Sequence, residues 1–300
     1  MKTTATQRVP DQRKRWQIDD WFGRVLTVAA LASALVVLLV FGFLLWQTLP
    51  MWQQGRWLDF LTDPAWYPLD GLFGAWPMIV ASVLVVLLAI CIALPVGIAS
   101  ALFYCYYAPR RIADLNYLGL IILAATPSVV LGLWGLTVIV PLLAQWQPPA
   151  TSLLTASLVL SVMIVPTIAL TSIASLQALP ISLRHAAAAV GLSRPTEIVA
   201  VLLPAARQGI FAGVVLAIAR AFGETMAVLM VAGNVVQIPS SLFDPVRVLT
   251  ANIALEMAYA TGEHRTALYM SGLLLMLLVA ALSLLVAWHG SRVQTGQSHG

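Results

Sequence analysis

Charged residues are scarce in this sequence: only 9% of its 300 residues are Asp, Glu, Lys or Arg, whereas 60% are hydrophobic. About a quarter of the residues in an ordinary soluble domain are charged. Three stretches, 71–109, 115–183 and 266–291, contain no charged residue at all, and each exceeds the roughly 20 apolar residues that cross a bilayer as a helix. The composition therefore excludes an ordinary soluble protein and predicts one that spans a membrane several times.

Lysine is nearly absent from the sequence, and the phosphate-binding loop of many ATPases requires a lysine. Lys2 and Lys14 both lie in the N-terminal tail, and neither follows a glycine-rich loop of the form GxxxxGK[ST]. Any ATP would therefore be handled by a partner protein. The four histidines show no metal-ligand spacing, no GxSxG nucleophile motif occurs, and no basic patch interleaved with aromatic residues indicates nucleic acid. The sequence predicts no catalytic residue, no metal, no cofactor and no nucleic-acid partner.

Six apolar segments are long enough to be transmembrane helices. They cover residues 25–49, 76–104, 115–143, 153–176, 209–236 and 267–288. The predicted fold class is all-α: a polytopic membrane protein whose transmembrane domain (25–290) lies between an N-terminal tail (1–24) and a C-terminal tail (291–300). Four prolines interrupt these spans, namely Pro95, Pro127, Pro141 and Pro166. Such breaks are tolerated where neighbouring helices or a water-filled cavity satisfy the freed backbone groups, which favours a transporter over a passive membrane scaffold.

The basic residues are distributed unevenly between the two sides of the predicted spans. Lys and Arg near the ends of spans are retained in the cytoplasm. With the N-terminus inside, 12 of the 15 basic residues outside the spans are cytoplasmic, and only Arg56, Arg247 and Arg265 are external. The sequence therefore predicts that both termini and the loop 179–207 are cytoplasmic, and that the loop 235–264 is external.

The loop 179–207, LPISLRHAAAAVGLSRPTEIVAVLLPAAR, reads as two short helices joined by a turn. The alanines after His185 favour a helix, and Gly191 suits the left-handed residue just past its end. Ser193 can cap the next helix, and Pro195 is tolerated in a first turn. We call this segment the elbow. The pattern is compatible with a rigid docking element or with a connector lying on the membrane surface.

Two charges, Arg220 and Glu224, lie one helical turn apart inside the predicted fifth span. An unpaired charge at bilayer depth costs on the order of 3 kcal/mol, so such residues face the bundle interior or a wet cavity. One interpretation is mutual neutralisation between the two side chains. The other is a role in a transport pathway, in which Gly223 leaves room and Thr225 and Asn234 are lesser polar candidates.

The elbow resembles the coupling loop of binding-protein-dependent ABC transporter permeases, whose pattern is EAA, three residues, Gly, nine residues and Ile-x-Leu-Pro. The spacing is intact in this chain. The matching positions are Ala186, Ala187, Gly191, Val201, Leu203 and Pro204. Two residues depart from the pattern: His185 stands where a glutamate is usual, and Val201 replaces isoleucine. The resemblance implies that these seven positions couple the chain to an ATPase subunit.

Four further segments resemble the phosphate-specific branch of these permeases, and its C-type subunit, PstC, in particular. They are FLTDPAWYPLDGLFGAWPMIV (60–80), ALPVGIASALFYCYYAP (93–109), TPSVVLGLWGLTVIVP (126–141) and ARAFGETMAVLMVAGN (219–234). The resemblance implies an ABC type I importer permease fold in the inner (plasma) membrane and inward transport of phosphate by alternating access. It also implies three protein partners besides membrane lipid: a second, PstA-like permease, a PstB-like ATPase and a PstS-like periplasmic phosphate-binding protein.

In that setting the two charges would have separate roles. The guanidinium of Arg220 offers a planar donor fork that matches phosphate oxygens, and Glu224 would either position Arg220 or accept the proton that hydrogenphosphate carries and sulfate lacks.

The apolar segment 248–260 in the external loop is a candidate landing site for the binding protein, or a helix that merely covers the bundle. Two alternatives stay open: a permease for another oxyanion such as molybdate or sulfate, and a proton-coupled secondary carrier with Glu224 as its proton site.

Overall fold

Helices make up most of the protein in a computed structural model that describes residues 12–297 and the side chains of residues 21–285. The ends of the two predicted tails, residues 1–11 and 298–300, lie outside the described residues. In chain order the helices are α1 (Gln12–Gln53), α2 (Trp57–Thr62), α3 (Trp76–Leu102), α4 (Arg110–Ala125), α5 (Ser128–Trp134), α6 (Val140–Ala144), α7 (Leu153–Gln177), α8 (Ile181–Ala189), α9 (Arg194–Glu197), α10 (Leu203–Gly223), α11 (Met226–Val231), α12 (Leu249–Glu256) and α13 (Gly262–Gln297).

Short irregular elements complete the chain. Within the described residues, π-helical turns at Phe103–Tyr107, Gly135–Ile139 and Ile198–Leu202 extend α3, join α5 to α6, and join α9 to α10. Two short strands, β1 (Trp66–Tyr67) and β2 (Leu72–Phe73), pair antiparallel around a 3-10 turn, with Trp66 opposite Phe73. We call β1, β2 and this turn the hairpin.

Five continuous helical segments are long and apolar enough to cross a membrane. They are Trp21–Gln53, Trp76–Tyr107, Leu153–Gln177, Arg194–Gly223 and Gly262–Leu285. A sixth span is formed by α4 together with the segment Ser128–Ala144, which meet at an angle of 99°. The all-α class and the number of spans predicted from the sequence are thus confirmed, provided that the bent pair is taken as one span.

The helix α7 forms the centre of the bundle. Two-thirds of its most apolar window, 67%, is buried, and side chains such as Leu160, Ile164 and Ile168 are at most 1% exposed. The helices α3, α4, α10 and α11 all pack against α7. Its first turn is capped by Ser152, whose Oγ accepts a hydrogen bond from the amide of Thr155 at 3.4 Å.

The predicted third span, 115–143, is broken at Pro127, one of the prolines expected to interrupt the spans. The helix α4 ends at Ala125, Thr126 is extended (φ −65°, ψ 128°), and α5 begins after Pro127. Proline lacks an amide hydrogen and disfavours the helical conformation in the residue before it. The chain therefore turns sharply at this position and continues as α5 and α6.

The predicted fifth span, 209–236, is wrong at both ends. The helical segment begins earlier, at Arg194, and it ends at Gly223. Glu224 is extended (φ −70°, ψ 127°), and the short helix α11 follows from Met226. The chain that contains the two unusual charges is therefore a broken helix with the break between them.

The two broken segments pack against each other through glycines. A Cβ atom on Gly132 of α5 would lie 2.8 Å from the Cα of Ala227 in α11. One on Gly135 would lie 3.1 Å from a methyl group of Val231 in α11 and 2.5 Å from a methyl group of Val159 in α7. Small residues of this kind let helix backbones approach closely in a membrane. The position of α11 therefore depends on the absence of side chains at these two sites.

Replacing Gly132 with alanine is expected to lower stability by about 1–3 kcal/mol, because the new methyl group would overlap backbone atoms that cannot move aside easily. Gly119→Ala on α4 is the matched control, since a Cβ there meets no atom within 4 Å. Denaturant unfolding of the purified variants in detergent measures the difference. Equal stability of the two variants would contradict the close packing of α5 and α11.

Candidate functional site

Arg220 projects from the last turn of α10 and is exposed in the described chain. It lies about 20 Å along the helix axis from Arg207 at 1.5 Å per residue, well inside the apolar span. One of its terminal nitrogens is 3.5 Å from the hydroxyl oxygen of Thr167 on α7, a long hydrogen bond. An exposed guanidinium inside a span is costly against lipid. This face of α10 is therefore suited to water or to another protein surface.

Glu224 does not pair with Arg220, which corrects the interpretation of mutual neutralisation. No ion pair within 4 Å joins these two described side chains. Because α10 ends at Gly223, the four-residue spacing no longer places the two side chains on one helix face. The carboxylate of Glu224 instead accepts a hydrogen bond from the amide of Ala227 at 3.3 Å, in the first turn of α11.

The backbone of Glu224 is also satisfied by neighbours. Its amide donates to the carbonyl of Ala221 at 3.2 Å, and its carbonyl accepts a hydrogen bond from the hydroxyl of Thr250 at 2.9 Å. The side chain is half-buried beside a small cleft, whose lining includes Val86 and Leu160. The break in the helix thus exposes Glu224 to a mostly apolar cleft without leaving its backbone unpaired.

The three remaining residues of the predicted pathway lie close to the break or at the end of α11. Gly223 is exposed, and a Cβ there would meet no atom within 4 Å. The hydroxyl of Thr225 donates to the carbonyl of Gly223 at 3.3 Å. Asn234 has a left-handed backbone (φ 57°), and its amide side chain donates to the carbonyl of Leu229 at 2.8 Å. Thr225 and Asn234 thus bond to backbone, whereas Gly223 leaves open space.

The elbow has the predicted form of two short helices at a fixed turn. Gly191 has a left-handed backbone (φ 75°), and its amide donates to the carbonyl of Ala188 at 3.0 Å. The amide of Leu192 donates to the carbonyl of Ala187 at 3.1 Å. This pair of bonds is the Schellman arrangement that ends many helices. Ser193 precedes α9 as predicted, but its hydroxyl bonds to that of Thr196 and not to the backbone.

Tyr106, in the π-helical turn that extends α3, contacts both helices of the elbow. Arg184 lies 3.5 Å from the carboxylate of Glu197 and 5.4 Å from the ring centre of Tyr106, whose carbonyl accepts a hydrogen bond from Arg194. The predicted coupling residues divide into two groups. His185, Ala186, Gly191 and Pro204 are exposed, whereas Ala187, Val201 and Leu203 are buried or half-buried. The tip also exposes 79% of Val190, so the elbow presents a small apolar surface on a rigid support.

The sequence did not predict a buried ionic cluster at the C-terminal end of α12. Glu256 is only 7% exposed, and its carboxylate accepts hydrogen bonds from Arg247 at 2.7 Å and Trp66 at 2.9 Å, with His264 at 2.8 Å. Arg247 also donates to the side chain of Asn252 at 3.1 Å. We call these five residues the Glu256 cluster. Both carboxylate oxygens are satisfied, as a buried carboxylate requires.

The loop between α11 and α12 is fastened to the start of α7. The amides of Leu153 and Leu154 donate to the carbonyls of Asp244 and Leu242 at 2.9 and 2.8 Å. The carboxylate of Asp244 accepts bonds from the amide and hydroxyl of Ser240 and from the amide of Ser241, which lowers the pKa of Asp244 below its usual value. These bonds fix the loop that carries Arg247.

Residues 93–295 match the family described as the binding-protein-dependent transport system inner membrane component. The chain belongs to this family. A probable ABC transporter permease protein, YqgH, from Bacillus subtilis is 36% identical over 96% of both chains. The phosphate transport system permease protein PstC from Mesorhizobium japonicum is 31% identical over 85% of this chain and 86% of its own, and that from Pasteurella multocida is 32% identical over 85% and 84%.

Solved structures of ABC importers share the fold. A structure of the MetNI methionine ABC transporter in an inward-facing conformation has a TM-score of 0.54 at 21% identity, and covers 76% of this chain and 97% of its own. A bacterial ABC transporter that imports alginate has a TM-score of 0.57 at 12% identity, and covers 94% and 99%. The chain is therefore a multi-pass permease component of the ABC importer type. In this family the permease is not itself the catalytic subunit.

Glu256→Gln is expected to lower the free energy of unfolding by about 3 kcal/mol, because it leaves Arg247 partly buried without its counter-charge. Glu263→Gln is the matched control. Glu263 makes an equally short ion pair with Arg56, 2.7 Å, but is exposed, and exposed pairs contribute about 0–1 kcal/mol. Chemical denaturation of both purified variants measures the difference. Similar losses would show that the Glu256 cluster is not a stabilising buried pair.

Proposed function

We propose that this chain is a permease subunit of an ATP-driven importer that carries inorganic phosphate inward across the inner membrane by alternating access. Its similarity to PstC proteins supports phosphate as the substrate. The observation that carries the proposal is Arg220, an exposed guanidinium inside a membrane-spanning helix. It lies beside the open space at Gly223 and has no carboxylate partner among the described side chains. A protein that only needed stability would have no reason to retain such a charge at this depth.

Arg220 is the group that attracts the anion in this proposal. A guanidinium carries five N–H donors in a planar fork that matches phosphate geometry. Its contact with Thr167 is long and uses one terminal nitrogen, so donors remain for a substrate. In the proposal a second permease covers the exposed face of α10, so that the pathway runs between two permease subunits.

Glu224 discriminates between phosphate and sulfate in this proposal. Its carboxylate stands at the start of α11, separated from Arg220 by the end of the helix. Hydrogenphosphate can donate a hydrogen bond to a carboxylate through the proton that it carries, whereas fully ionised sulfate has no donor and would be repelled. A carboxylate close to the path also weakens anion binding, which favours release of the cargo. Gly223 supplies space, while Thr225 and Asn234 shape the backbone on either side of α11.

In the proposal the elbow couples the alternating-access movement of the permease to a PstB-like ATPase. The exposed elbow residues would contact the ATPase, namely His185, Ala186, Val190 and Gly191. Ala187, Val201 and Leu203 would hold the elbow on the bundle, and Pro204 lies in the first turn of α10. A PstS-like binding protein would deliver phosphate to the hairpin side, and a PstA-like permease would complete the pathway. In the proposed orientation both termini and the elbow are cytoplasmic, with a transmembrane domain over 25–290.

A permease for another oxyanion is the second candidate. It is favoured by one finding: the YqgH relative, at 36% identity, has a name that specifies no substrate. The proton-coupled secondary carrier considered from the sequence finds no support, because the family is a component of binding-protein-dependent systems.

Arg220→Gln is expected to reduce phosphate uptake by about 10- to 100-fold, because a hydrogen bond between a charged donor and an ionised ligand contributes about 1.5–3 kcal/mol. Uptake of labelled phosphate by the reconstituted complex, with sulfate and molybdate in parallel, measures the effect. Arg220→Lys should retain part of the uptake, and Glu224→Gln should admit more sulfate. Arg265→Gln is the control, because Arg265 is exposed beside the ring of Tyr269. Wild-type rates and selectivity in Arg220→Gln and Glu224→Gln would refute the proposed pathway.

Val190→Asp is expected to uncouple ATP hydrolysis from uptake, because it places a charge on the exposed apolar tip of the elbow. Ser182→Asp is the control: it adds the same charge to the same helix, at an exposed position in its first turn, where an acid is favourable. Substrate-stimulated ATPase activity and phosphate uptake of the complex are measured together. Normal coupling in Val190→Asp would show that the tip does not contact the ATPase.

A further inference from the structure

The helix α12 connects Glu224 in the pathway to the buried Glu256 cluster. In its first turn, Thr250 donates its hydroxyl to the carbonyl of Glu224 at 2.9 Å, and the amide of Leu249 donates to the hydroxyl of Ser82 on α3 at 3.0 Å. Its last residue is Glu256. The eight residues of α12 cover about 12 Å at 1.5 Å per residue. A single short helix therefore contacts the helix break at one end and the cluster at the other.

The far end of α12 is held by three other segments. Trp66 comes from the hairpin, Arg247 from the loop before α12, and His264 from the first turn of α13. The ring of His264 also stacks on Phe73, with ring centres 6.0 Å apart. A buried carboxylate with donors from three segments cannot shift without breaking several bonds at once. The Glu256 cluster thus fixes one end of α12 firmly.

A second connection reaches the end of α11. Arg247 donates through its Nε to the carbonyl of Asn234 at 2.9 Å, and the side chain of Asn234 donates to the carbonyl of Leu229 in α11 at 2.8 Å. The first turn of α11 is joined to Glu224 through Ala227. Both ends of α11 are therefore linked to α12 or to the Glu256 cluster.

The hydrogen bond from Thr250 satisfies the backbone carbonyl of Glu224 at the helix break. A carbonyl at a helix break cannot use the next turn of its own helix, and in a membrane no water replaces the missing donor where lipid or protein surrounds it. Without the hydroxyl, the carbonyl of Glu224 would have to rotate towards another donor. That rotation would move the carboxylate of the same residue.

We propose that Thr250 is a positioning residue, which holds the Glu224 carboxylate at its place in the pathway and is itself held by α12 and the Glu256 cluster. The role of Glu224 in transport rests on the proposed function, whereas the position of Glu224 and its contact with Thr250 do not. Under the proposed orientation the cluster is external, so α12 provides a direct physical link from the outer surface to the pathway. Docking of a binding protein against the hairpin would act on Glu224 through this link.

Thr250→Val and Thr250→Ser form the matched pair that tests the position of Glu224. Valine keeps the shape of threonine without the donor, whereas serine keeps the donor. The assembled complex, with Cys91 and Cys105 replaced by alanine and Gly223→Cys as a reporter, is labelled in vesicles with a small thiol-reactive reagent. Loss of one hydrogen bond is about 1 kcal/mol, so Thr250→Val should change the labelling rate about fivefold. Thr250→Ser should match the parent complex.

A reporter on the hairpin controls for general unfolding. Leu69→Cys, at a fully exposed position, should label at the same rate in all three backgrounds. Equal labelling of Gly223→Cys in Thr250→Val and Thr250→Ser, including no labelling in either, would overturn the inference. This measurement does not require that phosphate be the substrate.

Selectivity tests the consequence for transport. In Thr250→Val, excess sulfate should inhibit uptake of labelled phosphate several-fold more than in the parent, and Thr250→Ser should restore the parent value. A residue that merely stabilised the fold would lower uptake without changing this ratio, and an unchanged ratio would overturn the link to the pathway. If the parent complex takes up no phosphate, the proposed function fails, whereas the labelling experiment still decides the role of Thr250.

Discussion

Backbone groups inside a bilayer must find partners within the protein, and this constraint governs both helix breaks of the permease. At Glu224 the carbonyl is satisfied by Thr250, the amide by Ala221, and the following helix α11 by the carboxylate of Glu224 itself. Each partner comes from an element that must then stay close. The position of α12 and the tight packing of α11 on α5 are consequences of keeping the break satisfied.

Glu256 and Arg220 differ in the physical role that their charges allow. Glu256 is buried, and each of its carboxylate oxygens has a donor, so it stabilises a fixed arrangement and offers nothing to a ligand. Arg220 is exposed inside a span and makes one long contact, so most of its hydrogen-bonding capacity is unused. The first role is typical of a structural cluster, and the second of a residue that meets an ion or a partner subunit.

The sequence predicts the features that depend on local chemistry. The apolar segments and the left-handed turn at Gly191 follow from nearby residues, and the structure confirms them. The bend at Thr126 had a visible signal in Pro127, but no proline marks the break after Gly223. The Glu256 cluster had a weaker signal still: one acid within an apolar helix. Its donor Trp66 lies 190 residues away, and no local pattern could reveal that contact.

The break after Gly223 separates two mechanical units in the proposed importer. The second helix of the elbow continues through a π-helical turn into α10 without interruption from Arg194 to Gly223, so a displacement of the elbow reaches Arg220 directly. Glu224 belongs to the other unit, because Thr250 ties it to α12 and the Glu256 cluster. A push from the ATPase would therefore move Arg220 relative to Glu224. Alternating access needs a change of this kind, because a pathway in which both groups moved together would hold its anion equally well in every state.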